Sequence, residues 1–115
     1  MSEEMQGIAR ISIHEGRLEE FKQIARRCVE TVRAKEPGTI QYELYISEDG
    51  TECLVFERYR DSDAGLAHSE NIGSLMKELS DVCTITGDVC GTPSPKLREF
   101  LDAAGVRVYA PLMAK

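Results

Sequence analysis

The sequence predicts an α+β fold in the ferredoxin-like order βαββαβ, extended at its C-terminal end by one further helix and strand. Three observations predict it. Segments of period two and of period near 3.6 alternate in that order. A Glu48-Asp49-Gly50 turn joins two adjacent alternating runs as a hairpin. The run from Glu52 to Arg60 is apolar on both parities in its middle, which suits a sheet covered on both sides. The 115 residues give room for one domain, 1–115, with a core over 7–90 and an extension over 91–115.

Each element has its own signal. Ile8, Ala9, Ile11 and Ile13 among Arg10 and Ser12 suit a half-buried strand over 7–13. From Arg17, the residues Leu18, Phe21, Ala25, Cys28, Val29 and Val32 recur at three- and four-residue steps, with charged residues between them, so the segment is an amphipathic helix. It must stop at Glu36-Pro37-Gly38, because Pro biases its predecessor away from helix and Gly supplies a reversal. Ile40, Tyr42, Leu44 and Ile46 share a parity in the second strand. In the third strand Cys53, Val55, Glu57 and Tyr59 share one face, and Leu54, Phe56, Arg58 and Arg60 the other.

Asp61-Ser62-Asp63 offers a cap for a second helix whose apolar stripe is Ala64, Ala67, His68, Ile72, Leu75, Met76, Leu79 and Val82. A fourth strand spans 84–90. Ser94-Pro95 opens a helix that buries Leu97, Phe100, Leu101 and Ala104 and ends at Gly105, and 106–110 reads as a last strand. The sheet needs cover on its second face, which predicts a homodimer, with the tail over 94–111 packing across the boundary between subunits or, as the alternative, folding back on its own subunit.

Composition narrows the partners. A net charge of -6, from 14 Lys plus Arg against 20 Asp plus Glu, gives no field that favours phosphate backbones or anionic lipid, so neither nucleic acid nor membrane is expected. Trp is absent and aromatics make up 6%, which disfavours stacking platforms for single-stranded RNA. The stretch Met1 to Gly7 is acidic and lacks the basic and apolar regions of an export signal. Cys28, Cys53, Cys83 and Cys90 fit no zinc or CxxC spacing and sit in apolar runs, so reduced thiols in a cytoplasmic protein are expected, a disulfide from Cys53 to a strand neighbour being the alternative.

His68 is the most informative residue. Its imidazole, with a reference pKa near ~6.5, can move a proton at neutral pH, and it faces the apolar stripe of the second helix. The plain alternative is a core histidine bonded to a backbone carbonyl or to Glu57. Glu57 lies among apolar strand neighbours and needs a partner: it either orients His68 or accepts a substrate hydroxyl, or it pairs with Arg10, Arg58 or Arg60. Tyr42 and Tyr59 could offer hydroxyls to an oxyanion or could be wall residues. Asn71 could bond a substrate oxygen or be a solvated helix position, and Leu75, Met76 and Leu79 would form the pocket wall. His14, at the first strand-to-helix turn, has a surface or capping position. No phosphate loop, nucleophile elbow, His-Glu-x-x-His helix or calcium loop is present, and two histidines are too few for a convincing metal site.

Three groups, Glu36-Pro37-Gly38-Thr39-Ile40-Gln41-Tyr42-Glu43-Leu44, then Phe56-Glu57-Arg58-Tyr59-Arg60-Asp61, then Ala67-His68, resemble the antibiotic biosynthesis monooxygenase family. The resemblance spans roughly 8–89 and rests on order and spacing. It implies a dimeric α/β barrel and oxidation of quinols, anthrones or similar electron-rich aromatics by O2 without flavin, haem or metal. It also implies His68 as base with Glu57 as its orienter. Tyr59 stands where the family often has Trp, and Gly73 and Ser74 stand where many quinol oxygenases carry a His and a Phe. Haem-degrading relatives use a Trp that this chain lacks. An isomerase or tautomerase of the autoinducer-processing type and a non-catalytic ligand-binding dimer are the rival readings.

Overall fold

The computed structural model describes residues 3–115; Met1 and Ser2 of the acidic opening stretch lie outside the described residues. The elements run β1 (Met5–Ile13), α1 (Leu18–Lys35), β2 (Thr39–Ile46), β3 (Glu52–Tyr59), α2 (Ser62–Asn71), α3 (Gly73–Ser80), β4 (Cys83–Cys90), α4 (Pro95–Ala103) and β5 (Arg107–Tyr109). One sheet takes them in the order β2-β3-β1-β4-β5. β1 pairs antiparallel with both β3 and β4, and β5 adds parallel to β4 after the α4 crossover. The ferredoxin-like order with its added helix and strand is therefore the observed fold.

Alternation along the strands decides what the helices cover. Ile11, Cys53, Val55 and Cys83 pack against Phe21, Ile24 and Cys28 of α1 and Leu75 and Leu79 of α3. Each of the Val, Leu, Ile and Phe side chains among them contributes about 1.5–3 kcal/mol on full burial. A second cluster joins Met5 and Tyr59 to Leu97 and Leu101, so α4 folds back on its own sheet. The other sheet face carries Ile8, Leu54, Phe56 and Tyr45, all partly or largely exposed. Leu112 and Met113, beyond β5, are exposed as well.

Phe100 and Ala104, expected on the buried face of α4, and Ala67, expected on the apolar stripe of the second helix, are exposed, because α4 buries only Leu97 and Leu101 and α2 only Gly65 and His68. Beyond these and one-residue differences at the ends of β4 and β5, three backbone details depart from the sequence expectation. β1 begins at Met5, two residues before Gly7. The expected single helix over Ala64 to Val82 breaks at Ile72, whose φ of -99° and ψ of 4° are not helical. Gly73 and Ser74 follow the break, and both favour helix less than the leucines and alanines around them. The break turns α3 so that Leu75 and Leu79 enter the core while His68 stays on α2.

The third departure is a bulge in β2. Thr39 pairs with Tyr59 but Gln41 with Arg58, which leaves Ile40 without a place in the register. Ile40 is consequently half exposed rather than aligned with Tyr42. The extra residue also reverses parity between positions 39 and 42, so Thr39 and Tyr42 both face the helices. The β2–β3 hairpin turns at Gly50, φ 73°, where Asp49 accepts from the Ser47 and Thr51 hydroxyls and from the Thr51 N–H.

Candidate functional site

Between the sheet and the helices lies a cavity of about 550 Å³. Its sheet side is built largely from small or apolar residues, Gly7, Ala9, Val55 and Gly87 among them. Leu97 and Phe100 of α4 bound another part of it. Glu57, Tyr42, Tyr59 and His68 gather polar atoms on its wall.

The local sequence explains why they meet. β3 sends Glu57 and Tyr59 to the helix side together because they are two residues apart. The bulge brings Tyr42 opposite Glu57 on the same face. Asp61 caps α2 by accepting from the Ala64 N–H at 2.9 Å, which fixes the helical phase that points His68 inward. Gly65, one turn before His68, leaves room for Leu97 and Tyr59.

His68 is 5% exposed and both its ring nitrogens face carboxylates. Nδ1 lies 2.8 Å from Glu36 Oε1, and Nε2 lies 3.3 Å from Glu57 Oε1. The Tyr59 hydroxyl donates to the same Glu57 oxygen. The rings of Tyr42 and Tyr59 flank the imidazole with centroids at 5.2 and 5.4 Å. Burial works against charge on the imidazole, but the hydrogen bond and charge of Glu57, followed by those of Glu36, outweigh it and raise the His68 pKa above the usual histidine value. Burial pushes both tyrosine hydroxyls well above their ordinary range, so they serve as neutral donors. Burial likewise lifts the Cys28 thiol, hydrogen-bonded to Tyr42, to about 11.

The residues singled out from the sequence therefore divide. His68, Glu57, Tyr42 and Tyr59 come together on the cavity wall, and Met76 and Leu79 line it too. Asn71 does not line it; its amide donates to Glu36 Oε2 at 3.3 Å. Leu75 also lies off the cavity, packed in the main core. Glu57 pairs with none of Arg10, Arg58 or Arg60; Arg58 reaches Glu4 and Arg60 lies 3.9 Å from Asp61. His14 is exposed at its turn and bonds the Thr84 hydroxyl at 3.2 Å. All four cysteines are free thiols. Among the described residues no helix is long and apolar enough to cross a membrane.

Sequence reasoning missed Glu36 as a site residue, treating it as the end of a helix. It is 6% exposed and accepts from His68 and from the Thr39 hydroxyl at 2.8 Å. The available signal was its place directly before Pro37-Gly38, where a surface carboxylate has no evident duty.

With both nitrogens engaged by carboxylates, His68 has no lone pair to offer while it is protonated. Glu57 has one oxygen committed to two donors and a second, Oε2, left over. The arrangement can thus accept a proton at Glu57 and hold the accepting group still through His68 and Tyr59.

Comparison with known proteins supports one family. MupZ from Pseudomonas fluorescens superposes with a TM-score of 0.86 over 100% of this chain and 90% of its own, at 26% identity. SnoaB from Streptomyces nogalater, described as a cofactor-independent oxygenase, gives 0.68 over 76% of this chain and 91% of its own, at 20% identity. Rv0793 from Mycobacterium tuberculosis gives 0.64 over 73% and 91%, at 23% identity. The latter two likenesses speak to the fold. Among curated proteins no sequence match reaches significance. Residues 7–73, more than half of the chain, match the family model for antibiotic biosynthesis monooxygenase, and the protein belongs to that family.

Proposed function

We propose that the protein is a cofactor-independent monooxygenase that oxidises small electron-rich aromatics, such as quinols or anthrones, with O2, and that it works as a homodimer. The observation that carries this reading is Glu57, a carboxylate on the wall of a largely apolar cavity, fixed by Tyr59 and His68. An apolar cavity suits an aromatic ring, and the carboxylate suits removal of its acidic proton. For an anthrone-type methylene, Glu57 Oε2 takes one C–H proton. The carbanion passes an electron to O2, the radical pair joins as a peroxide, and reprotonation with loss of water leaves a carbonyl. One CH2 and one O2 become one C=O and one H2O, so no external reductant is required.

Family membership and the likeness to SnoaB support the reading. The apolar, uncovered sheet face supports the dimer. The proposed roles exchange those expected from the resemblance: Glu57 accepts the proton and His68 orients it. An oxygen electrode with a panel of quinols and anthrones tests the proposal. Substrate-dependent O2 uptake by chelator-treated protein is expected, and its absence across the panel would overturn it.

A second reading is proton transfer without O2, as in an isomerase or tautomerase. What favours it is that a carboxylate on the cavity wall can take a proton from one atom of a bound molecule and return it to another. Turnover persisting under strict anaerobiosis would select it.

A further inference from the structure

Glu36 lies behind the cavity wall, and no step assigned so far uses it. Its side chain is 2% exposed, yet it receives three donors: His68 Nδ1 at 2.8 Å, the Thr39 hydroxyl at 2.8 Å and the Asn71 amide at 3.3 Å. They come from two separate elements, Thr39 from β2 and His68 and Asn71 from α2, so the carboxylate is built into the fold as a receiver. A buried carboxylate persists where charge and hydrogen bonds are supplied to it.

We propose that Glu36 is a positioning residue of the proton-transfer site, which keeps His68 doubly protonated and so directs an Nε2–H at Glu57. The consequence for Glu57 rests on the function proposed above; the state of His68 does not. A neutral imidazole carries one N–H and would satisfy only one of its two carboxylate neighbours as a donor. Only the imidazolium donates to both. Without that second N–H, Glu57 Oε1 keeps the Tyr59 hydroxyl alone, and the carboxylate can swing about its terminal bond.

The groups around the ring agree. Glu36 faces it from the end of α1, Tyr42 from β2, and Glu57 and Tyr59 from β3. The two tyrosines stay neutral, as does Cys28 beyond Tyr42, its thiol pushed up by burial. From α4, the residues buried against this region are Leu97 and Leu101. Arg60, across the turn from Gly38, is exposed and lies nearest Asp61. The two glutamates are thus the charges that set the imidazole's state, and its pKa is raised accordingly.

The test is a pH titration of protein labelled with ¹⁵N in its histidine rings, followed by NMR. In the unaltered protein both His68 nitrogens should carry protons near neutral pH. A single protonated nitrogen there would overturn the proposal without any variant. In Glu36→Gln, which preserves shape and removes charge, the His68 midpoint should fall by about 1–3 units. A folded variant with an unchanged midpoint would also overturn it. Where a substrate is found, the variant's kcat profile should move to lower pH with the midpoint while KM stays. If no substrate is oxidised, the proposed function fails while the ring titration still decides the role of Glu36.

Discussion

Glu36 Oε1 and His68 Nδ1 lie 2.8 Å apart although 32 positions separate the two residues in sequence. The contact depends on how closely the turn after α1 approaches the first turn of α2. Gly38 makes that approach possible: a Cβ there would lie 2.7 Å from the Cβ of Ala64, closer than two such carbons can sit. The Gly38 carbonyl also accepts the Arg60 N–H at 2.8 Å, tying the turn to the end of β3.

Gly38→Ala should therefore destabilise the fold by about 1–3 kcal/mol through overpacking. Ala64→Gly, costing about 1 kcal/mol on its own in a helix, should recover much of that loss in the double variant. Urea unfolding of both single variants and the double variant measures the coupling. Simple additivity would show that the two residues do not press on one another.

Stability should depend on pH through His68. Its pKa is raised in the folded state, against burial, by Glu57 and Glu36. The folded protein then binds the proton more tightly than the unfolded chain does. The stabilisation is complete below the unfolded value of about 6.5 and is lost as pH rises through the higher folded value. Thermal melts should show Tm falling as pH rises through that window. His68→Gln should flatten the dependence, and an equal slope in the variant would assign it to another group.

Most of this fold was legible because strand parity and helical period follow directly from burial. The β3 face of Cys53, Val55, Glu57 and Tyr59 needed only alternation, and the Ser94-Pro95 start of α4 only capping chemistry. The site was legible as far as its residues share one face of one element, as Glu57 and Tyr59 do. Glu36 escaped because its meaning depends on Thr39, His68 and Asn71, whose meeting is a tertiary fact. Thr39 points at Glu36 only because the bulge at Ile40 reverses strand parity, and an extra residue in a strand leaves no mark in hydrophobic periodicity. The same limit applied to Asn71: its helical position was correct, but which neighbour its amide would meet was not written in α2.

The uncovered sheet face leads to a prediction about assembly. Phe56 packs edge-on against Tyr45, with ring centroids at 5.7 Å, and both sit beside Leu54 and Ile8 on the side away from the helices. A second copy covering this patch would bury those rings. Phe56→Lys should then shift a dimer toward monomer in sedimentation at micromolar concentration, with the monomer retaining its helical content. A monomer before substitution would refute the dimer.

Substrate size should be controlled from the sheet side. A Cβ at Gly87 would meet only the Ile8 carbonyl oxygen, at 3.8 Å, so a side chain can grow there into the cavity. Gly87→Leu should preserve or raise Tm, since glycine weakens a strand interior, while weakening binding of the bulkier substrates about tenfold or more. Loss of affinity for all substrates alike, together with a lower Tm, would mean that the sheet had been distorted instead.

Glu57→Gln is the sharpest test of the proposed chemistry, because the amide keeps the shape of the carboxylate and cannot take the substrate's proton. kcat should fall by about 10²–10⁴, the usual contribution of a general base, while KM changes little because the apolar wall is intact. Tyr59→Phe removes one donor to Glu57 Oε1 and leaves His68 as the other, so its effect should be the smaller of the two. The order matters more than either magnitude. If Tyr59→Phe abolished turnover and Glu57→Gln did not, the Tyr59 hydroxyl itself would be handling the proton, and Glu57 would be the group that orients it.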